Sequence, residues 1–398
     1  MAGPLHGFRV IDLTSMVSGP LATMMLADQG AEVIKVERPP AGDYTRLASK
    51  RRGGFSASFL NNNRSKRSIA LDLKDERGRA ALLRLVENAD VFVQNFRPGV
   101  IERMGLGEEV LRAVSPRLVY VSISGFGEAG PYVGKPVYDP LVQALSGLAS
   151  VQGGGDRLRP RLVRTILPDK LTGLTAAQAI AAALLARERT GEGQHVRVSM
   201  LDAVVAFLWG SDMGSQTFVG DDAPQTDTAS FIDLIYETRD RYISVAVQTD
   251  REWEALARAV ERPQWLTDPR FRTPALRQDN IDDRLALTQD VLRERSAAEW
   301  LQRLEAAGVP CAPVLTRNEV IEHPQVHANA LVVETDHPDA GRLRQSRPAA
   351  RFSASPTEPI RPAPALGADG AAVLAEAGYT REDIAALEAA GVLARAGQ

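Results

Sequence analysis

The chain of 398 residues is 44% hydrophobic and 24% charged, which is typical of a folded protein with two or more domains and excludes a disordered or fibrous chain. Its 47 basic and 50 acidic residues give a formal charge of −3, so we expect no nucleic-acid partner, and an anionic ligand must be met by a local basic cluster. A single cysteine, no leader pattern and no apolar run of about 18 residues predict a cytoplasmic protein without disulfides or membrane spans.

Short β-branched runs alternate with helical patterns in the first third of the chain. The sequence predicts strands at 9–13, 32–37, 91–94 and 118–124, and helices at 20–29, 74–88 and 108–114. Strands separated by helices indicate βαβ units and a parallel sheet with right-handed crossovers. The fold class is therefore predicted to be α/β with an open sheet. The residues at the helix boundaries agree with the predicted helix at 20–29, because Pro20 lies in its first turn and Gly30 follows its end, where a positive φ is needed.

Asp169 stands between a proline and a long alanine-rich helix predicted at 176–189. Pro168 fixes its own φ near about −65° and suits a first helical turn, so Asp169 is expected in the first turn or cap. Unpaired N–H groups and the helix dipole favour a negative charge there. From local sequence alone, most such residues are helix caps, and a catalytic carboxylate is the alternative.

The composition and the pattern of the sequence change after Asp202. All four tryptophans fall between residues 203 and 310, among amphipathic helices predicted at 251–261 and 297–307 and a strand-like run at 242–247. This pattern predicts a smaller α/β domain inserted in the chain. From Gly308 onward the sequence is rich in turn signals, and the chain is expected to return to the first domain.

Motifs along nearly the whole chain resemble the class III CoA-transferase family. The segment around Asp169 is followed by its helix and by residues 190–202 in the order that this family has. Further segments that carry the resemblance lie at 7–13, 19–20, 26–39, 66–74, 95–99, 124–132, 308–314 and 366–374.

The resemblance implies a fold and an assembly. A large, Rossmann-like CoA-binding domain would be formed by both chain ends, residues 1–202 and 311–398, with a small α/β domain at 203–310. The resemblance also implies a homodimer in which each chain forms a ring threaded through the other, so that the monomer need not be stable alone.

The resemblance further implies that Asp169 is the nucleophile. Asp169 would attack a donor acyl-CoA to give an aspartyl anhydride, the CoA thiolate would return to form an aspartyl-CoA thioester, and the acceptor acid would then react. With an ordinary pKa of about 3.9 the carboxylate is ionised at neutral pH and needs no partner base. Backbone N–H groups must stabilise each oxyanion, and water must be excluded. Coenzyme A is a substrate here, and we expect no metal and no tightly bound cofactor.

CoA carries phosphates, so its site needs cations and helix N-termini near the carboxyl ends of strands. The resemblance assigns CoA contacts to residues in the loops after the strands, namely Val17, Ser18, Arg38, Leu71, Lys74, Asn95, Phe96, Arg97, Arg103, Lys135, Tyr138 and Asp139. Two features depart from the formyl-CoA branch of the family. The stretch at about 220–234 has no glycine run to cover the aspartate, and Lys135 is one position from the lysine of that branch.

Three other functions are weighed against CoA transfer. α-Methylacyl-CoA racemases need an acid/base pair at the carbon beside the thioester and have His-Asp where this chain has Tyr138-Asp139; tyrosine, with a pKa near about 10, is a poor base. A nicotinamide-dependent oxidoreductase would suit Glu37 at a strand end, but residues 14–20 lack the G-x-G-x-x-G glycines. A non-catalytic acyl-CoA-binding protein would not need an aspartate at position 169, nor the flanking residues that resemble the family motif. The donor and acceptor acids stay open.

Overall fold

The computed structural model describes residues 3–48, 50–220, 234–357 and 359–394. These form two compact units: one holds the described parts of Met1–Ser230 and Ala330–Gln398, and the other holds the described part of Phe231–Asn329. Both divisions fall later in the chain than the boundaries drawn from the sequence after residues 202 and 310, and the assignment of the larger part to CoA binding stays a prediction. Among the described residues, no helix is both long and apolar enough to cross a membrane.

The first third of the chain alternates strands and helices as predicted. The predicted strands at 9–13, 32–37 and 91–94 have these bounds in the structure, and the fourth begins one residue later than predicted. A 3₁₀ turn spans Tyr44–Leu47. The elements in chain order are β1 (Arg9–Leu13), α1 (Ser18–Asp28), β2 (Glu32–Glu37), β3 (Arg51–Arg52), β4 (Phe55–Ser56), α2 (Ala57–Asn63), β5 (Arg67–Leu71), α3 (Glu76–Val86), β6 (Val91–Gln94), α4 (Val100–Arg103), α5 (Glu108–Val114) and β7 (Val119–Ser124).

The next stretch is mainly helical. It contains α6 (Asp139–Leu145), α7 (Leu148–Gly153), α8 (Leu167–Thr190), β8 (His195–Ser199), α9 (Met200–Trp209) and α10 (Gly214–Thr217). Helix α8 has 24 residues and ends at Gly191, whose φ of 82° is the left-handed cap that glycine adopts without strain.

The second unit contains a three-stranded antiparallel sheet in the order β11-β10-β9. Its core includes Trp253, Trp265 and Trp300, whereas Trp209 lies on α9 in the first unit. A 3₁₀ turn spans Pro263–Leu266. Its elements are β9 (Ile235–Glu237), β10 (Tyr242–Val245), α11 (Asp250–Ala259), α12 (Pro274–Asp279), α13 (Ile281–Leu292), α14 (Ala297–Ala306), β11 (Cys311–Pro313), α15 (Arg317–Glu322) and α16 (Pro324–Ala328).

The chain then re-enters the first unit. A hairpin that the sequence showed only as turn signals comes first, and two helices and an edge strand follow. These elements are β12 (Val332–His337), β13 (Gly341–Ser346), α17 (Gly370–Glu376), α18 (Arg381–Ala389) and β14 (Leu393–Ala394).

The first unit is built on a seven-stranded sheet in the order β14-β5-β2-β1-β6-β7-β8. Six strands are parallel, and β14 is antiparallel to β5. From β1 the chain moves outward through β2 to β5, and it then returns to the other side of β1 for β6, β7 and β8. In open α/β sheets, ligands bind outside the carboxyl ends of the strands where the order reverses. The loops after β1 and β6 lie at this reversal point.

Both faces of the sheet are buried, as parallel sheets require. Alternate residues of β7 point to opposite faces, so Tyr120 packs in the core with α3, α5, α17 and α18, whereas Val121 packs in the core with α1 and α8.

Gly173 on α8 allows that helix to approach α1 closely. A Cβ atom at this position would lie 2.9 Å from the carbonyl oxygen of Ser18 and 3.0 Å from a methyl group of Leu21. The first turn of α1 and the second turn of α8 are therefore neighbours.

Candidate active site

Asp169 is the third residue of α8, two residues after the helix begins at Leu167. This confirms the position in the first turn that the sequence predicts. The N–H of Asp169 donates to Oδ2 of Asp139 at 3.2 Å, so a second carboxylate approaches the same helix end. Asp139 is itself 4% exposed and opens α6.

Gln143 fixes the segment that leads into α8. Its Nε2 donates to Oδ1 of Asp139 at 2.6 Å, and its Oε1 accepts from the N–H of Val163 at 2.9 Å. Because Asp139 and Gln143 are four residues apart on α6, both side chains lie on one face of that helix. Sequence reasoning missed Gln143, although its i, i+4 spacing from Asp139 was visible.

Ser18 opens α1 and faces the carboxylate of Asp169. Its backbone N–H and its hydroxyl both interact with that carboxylate and lower its pKa. Ser18 is buried, and α1 has no side-chain cap, so the unpaired N–H groups of its first turn point toward this site. Two helix N-termini thus meet at one carboxylate, and both helix dipoles favour its negative charge.

The pKa of Asp169 is nevertheless raised to about 6, because burial disfavours the charged form and the carboxylate of Asp139 repels it. The sequence-based expectation of an ordinary pKa is therefore wrong. The carboxylate still exceeds the acid by roughly ten to one at pH 7, and that Asp169 reacts without a partner base stays a prediction.

The loops after β1 and β6 are joined by Asn95. Its Nδ2 donates to the carbonyl of Ser15 at 2.8 Å, and its Oδ1 accepts from the N–H of Ser15 at 3.0 Å. The side-chain amide is thus engaged in bridging the two loops at the reversal point of the sheet.

Four of the predicted CoA contacts are exposed cations near the carboxyl ends of strands. Arg38 directly follows β2, Lys74 lies after β5, Arg97 lies after β6, and Arg103 ends α4. In the described ranges, no carboxylate forms an ion pair with any of the four. Because β5, β2, β1 and β6 are consecutive in the sheet, Arg38, Lys74 and Arg97 follow strand ends at one edge, and such unpaired charges suit a ligand that carries several phosphates.

The remaining predicted contacts differ in availability. Val17 is half-buried before α1, and Phe96 is half-buried against the core beneath the sheet. Lys135 and Tyr138 are exposed, and the Lys135 ammonium lies 3.3 Å from the centre of the Tyr132 ring. Leu71 is fully buried in the core, main chain included, so the predicted contact between Leu71 and CoA is not supported by its exposure. The stretch at 220–234 falls almost wholly outside the described residues.

A cavity of about 490 Å³ opens on the β6, β7 and β8 side of the sheet and is lined partly by Phe96, Ser122 and His195, but not by Asp169. Oγ of Ser122 lies 2.8 Å from Nε2 of His195, which suggests a serine nucleophile. The hydroxyl, however, donates to Glu128 at 2.7 Å, and Nδ1 of His195 is 3.9 Å from Glu108. His195 is therefore not arranged to take the serine proton.

Glu37, the residue that suggested a nicotinamide site, is buried. Its carboxylate pairs with Arg46 at 2.7 Å and accepts from the hydroxyl of Ser68 at 2.8 Å. It does not point toward a ligand, which agrees with the missing glycine fingerprint.

A family model described as CoA-transferase family III matches residues 5–370. A succinyl-CoA:glutarate CoA-transferase of Homo sapiens is 35% identical over 98% of this chain and 90% of its own length. An acetyl-CoA:oxalate CoA-transferase of Acetobacter aceti is 39% identical over 84% of this chain and 86% of its own. A CaiB/BaiF family protein from Brucella suis has a solved structure with a TM-score of 0.80 and 32% identity, covering 95% of this chain and 100% of that one.

Asp139→Asn is expected to lower the pKa of Asp169 below its value of about 6, since the variant removes the charge that repels the carboxylate and keeps an oxygen to accept the Asp169 N–H. The midpoint of a ¹³C NMR titration of Asp169 should move toward lower pH. Glu76→Gln, which removes an exposed charge on α3, is the control and should leave the midpoint unchanged. An unchanged midpoint in Asp139→Asn would show that Asp139 does not set this pKa.

Proposed function

Since this chain belongs to CoA-transferase family III, we propose that it moves coenzyme A from an acyl-CoA donor to a free carboxylic acid through covalent intermediates on Asp169. The observation that carries the proposal is the position of the buried Asp169 carboxylate, which lies where the N-termini of α1 and α8 meet. The relatives named above are CoA-transferases and match this chain over most of its length.

The proposed first half reaction consumes the donor. An Asp169 oxygen bonds to the thioester carbonyl carbon, and the C–S bond breaks. The CoA thiolate departs, and an aspartyl anhydride remains on the enzyme. The thiolate then attacks the aspartyl carbonyl carbon, which releases the donor acid as its carboxylate and leaves an aspartyl-CoA thioester. The thioester energy is thereby kept on the enzyme.

The second half reaction is the reverse sequence with a new acid. The acceptor carboxylate attacks the aspartyl carbonyl and displaces the CoA thiolate, which gives a second anhydride. The thiolate then attacks the acceptor's acyl carbon, and the product acyl-CoA and the free Asp169 carboxylate result. No proton transfer is needed at any step, so no general base is required.

The electrostatics of the site support this chemistry. A carboxylate with a pKa of about 6 is more basic than an ordinary aspartate and remains mostly ionised at pH 7, a combination that suits a nucleophile. Ser18 supplies an N–H and a hydroxyl beside it. Donors fixed before the reaction begins can stabilise an oxyanion without reorganising.

A racemase would need a free base near the reacting carbon, and the two candidates are unsuited. Asp139 is buried, and its two oxygens accept from Asp169 and Gln143, whereas Tyr138 is 69% exposed. The racemase alternative is therefore disfavoured. Wash-in of deuterium at the α-carbon of an acyl-CoA, without an added acid, would favour the racemase over CoA transfer.

Replacing Asp169 by Ala should abolish CoA transfer for every donor and acceptor pair, because the covalent route is lost. The assay would combine succinyl-, acetyl- and formyl-CoA with a panel of acids that includes glutarate and oxalate, with products read by mass. Asp202→Ala is a matched control, since Asp202 is the third residue of α9 as Asp169 is of α8. Trapping with hydroxylamine should place the label on Asp169 in the native enzyme. Turnover that survives in folded Asp169→Ala would contradict the mechanism.

The unpaired cations at the strand ends are proposed to bind the phosphates of CoA, with Val17, Ser18, Phe96 and the loop at 135–139 contacting the rest. Arg38→Gln should raise KM for acyl-CoA roughly tenfold and leave kcat nearly unchanged, because phosphate contacts are equal in the ground and transition states. The acyl-pantetheine thioester, which has no nucleotide, should show no such change. Arg117→Gln, before the opposite end of β7, serves as the control. An equal loss with both thioesters would argue against phosphate recognition by Arg38.

A homodimer with each chain threaded through the other is also proposed from the family resemblance. Large apolar side chains on α6, α8 and α9 are exposed in the single chain, among them Leu141, Leu145, Leu174, Phe207 and Trp209. Such a surface is unusual for a monomer.

Sedimentation should therefore give twice the chain mass of 43.1 kDa. Because threaded chains separate only when they unfold, this mass should persist on dilution to nanomolar concentration. A monomer at low concentration that still gives native circular dichroism would contradict the threaded arrangement.

A further inference from the structure

Four charged side chains are buried under the loop that joins β1 to α1. They form two ion pairs, Lys35 with Asp43 at 3.0 Å and Lys66 with Asp12 at 2.9 Å, and none of the four side chains is exposed. Buried ion pairs contribute little to stability compared with well-packed apolar residues. Their presence at the reversal point of the sheet therefore calls for another explanation.

The Lys35 pair holds the main chain of the loop. Nζ of Lys35 donates to the carbonyl of Thr14 at 2.8 Å, and Oδ1 of Asp43 accepts from the N–H of Met16 at 3.2 Å. Asp43 is fixed in turn by the N–H and the hydroxyl of Thr45, both at 2.8 Å. One buried ion pair thus fixes the main chain of two loop residues, Thr14 and Met16.

The Lys66 pair holds both sides of the same loop. Oδ1 of Asp12 accepts from the N–H of Thr14 at 3.0 Å, and Oδ2 accepts from the hydroxyl of Thr23 on α1 at 2.7 Å. Nζ of Lys66 also donates to the carbonyl of Pro20 at 2.9 Å. Val17 and Ser18, followed by Gly19, lie between the contact to Met16 and the contact to Pro20.

The loop does not hold this shape by local preference. Met16 has a φ of 72°, in the left-handed region that a residue other than glycine rarely adopts. Such a conformation persists only when the surroundings impose it. Because α1 lacks a side-chain cap, its first N–H is placed by the contacts of the preceding loop: Asn95 holds Ser15, and Lys35, Asp43 and Asp12 hold Thr14 and Met16.

We propose that Lys35 and Asp43 are positioning residues for the reacting carboxylate: they hold the loop at 14–17 so that the amide and hydroxyl of Ser18 meet Asp169. This proposal rests on the proposed function, in which Asp169 is the nucleophile. It gives a role to Lys35, which lies in a segment that carries the family resemblance and is not itself among the predicted CoA contacts. A displacement of about 1 Å at a reacting group can cost about 100-fold in rate.

The test compares Asp43→Asn with Asp28→Asn. Asp28 is the last residue of α1 and forms a buried ion pair with Arg64 at 2.7 Å, so its loss removes a similar pair at the opposite end of the same helix. The rate of covalent labelling of Asp169 would be measured in a single turnover by quench and peptide mass spectrometry. The affinity for free CoA and the pKa of Asp169 by ¹³C NMR would be measured in parallel.

In Asp43→Asn the labelling rate should fall by tenfold or more, the affinity for CoA should change less than threefold, and the pKa of Asp169 should rise because the Ser18 donors that lower it are displaced. Asp28→Asn should lower thermal stability only. Equal labelling rates and equal pKa values in the two variants would overturn the proposal.

A milder variant and the independent pKa readout keep the test decisive. If Asp43→Asn does not fold, Thr45→Val removes the hydroxyl that fixes Asp43 and keeps the side-chain shape, and it should show the same changes to a smaller degree. An unchanged labelling rate and pKa in that variant would overturn the proposal. If the native enzyme is never labelled at Asp169, the proposed function fails, whereas the Asp169 pKa still reports whether Asp43 positions Ser18.

Discussion

The approach of two helix N-termini to one carboxylate is the constraint on which the rest of the site depends. It exists because Gly173 lets α8 approach the first turn of α1, and because the connections after β1 and β6 run to opposite sides at the reversal point of the sheet, where open α/β sheets leave a crevice. Opposing effects act on the carboxylate there. Dipoles and the Ser18 donors stabilise its charge, whereas burial and Asp139 oppose it, and the balance is a pKa of about 6.

Much of the sheet could be predicted from the sequence. Strands β1, β2 and β6 are β-branched runs buried on both faces, and such runs are visible without knowledge of their neighbours. Strand β5 was not predicted as a strand, because its Arg67 and Ser68 interrupt the apolar pattern. The partners of Arg67 include Glu32 and Glu376, 35 and 309 positions away in the chain. A local sequence pattern does not reveal partners that are so distant in the chain.

The site was predicted less completely for the same reason. The position of Asp169 follows from Pro168 and the helix after it, and the cations at strand ends follow from strand order. The pKa of Asp169 does not, because it depends on Asp139, which lies 30 positions earlier and meets it only in the fold. Likewise, the bridge from Asn95 to Ser15 spans 80 positions, and the sequence suggested a ligand contact where the structure shows a loop-to-loop link.

The return of the chain to its first unit has a consequence for biosynthesis. Ser68 on β5 is bonded to Asp369, 301 positions later, and β14 closes the sheet beside β5. Contacts so distant in sequence carry a large entropy of loop closure and form slowly. The second unit is one continuous stretch and can fold on the ribosome, while the sheet on which α8 packs must wait with an unprotected edge until nearly the whole polypeptide has emerged.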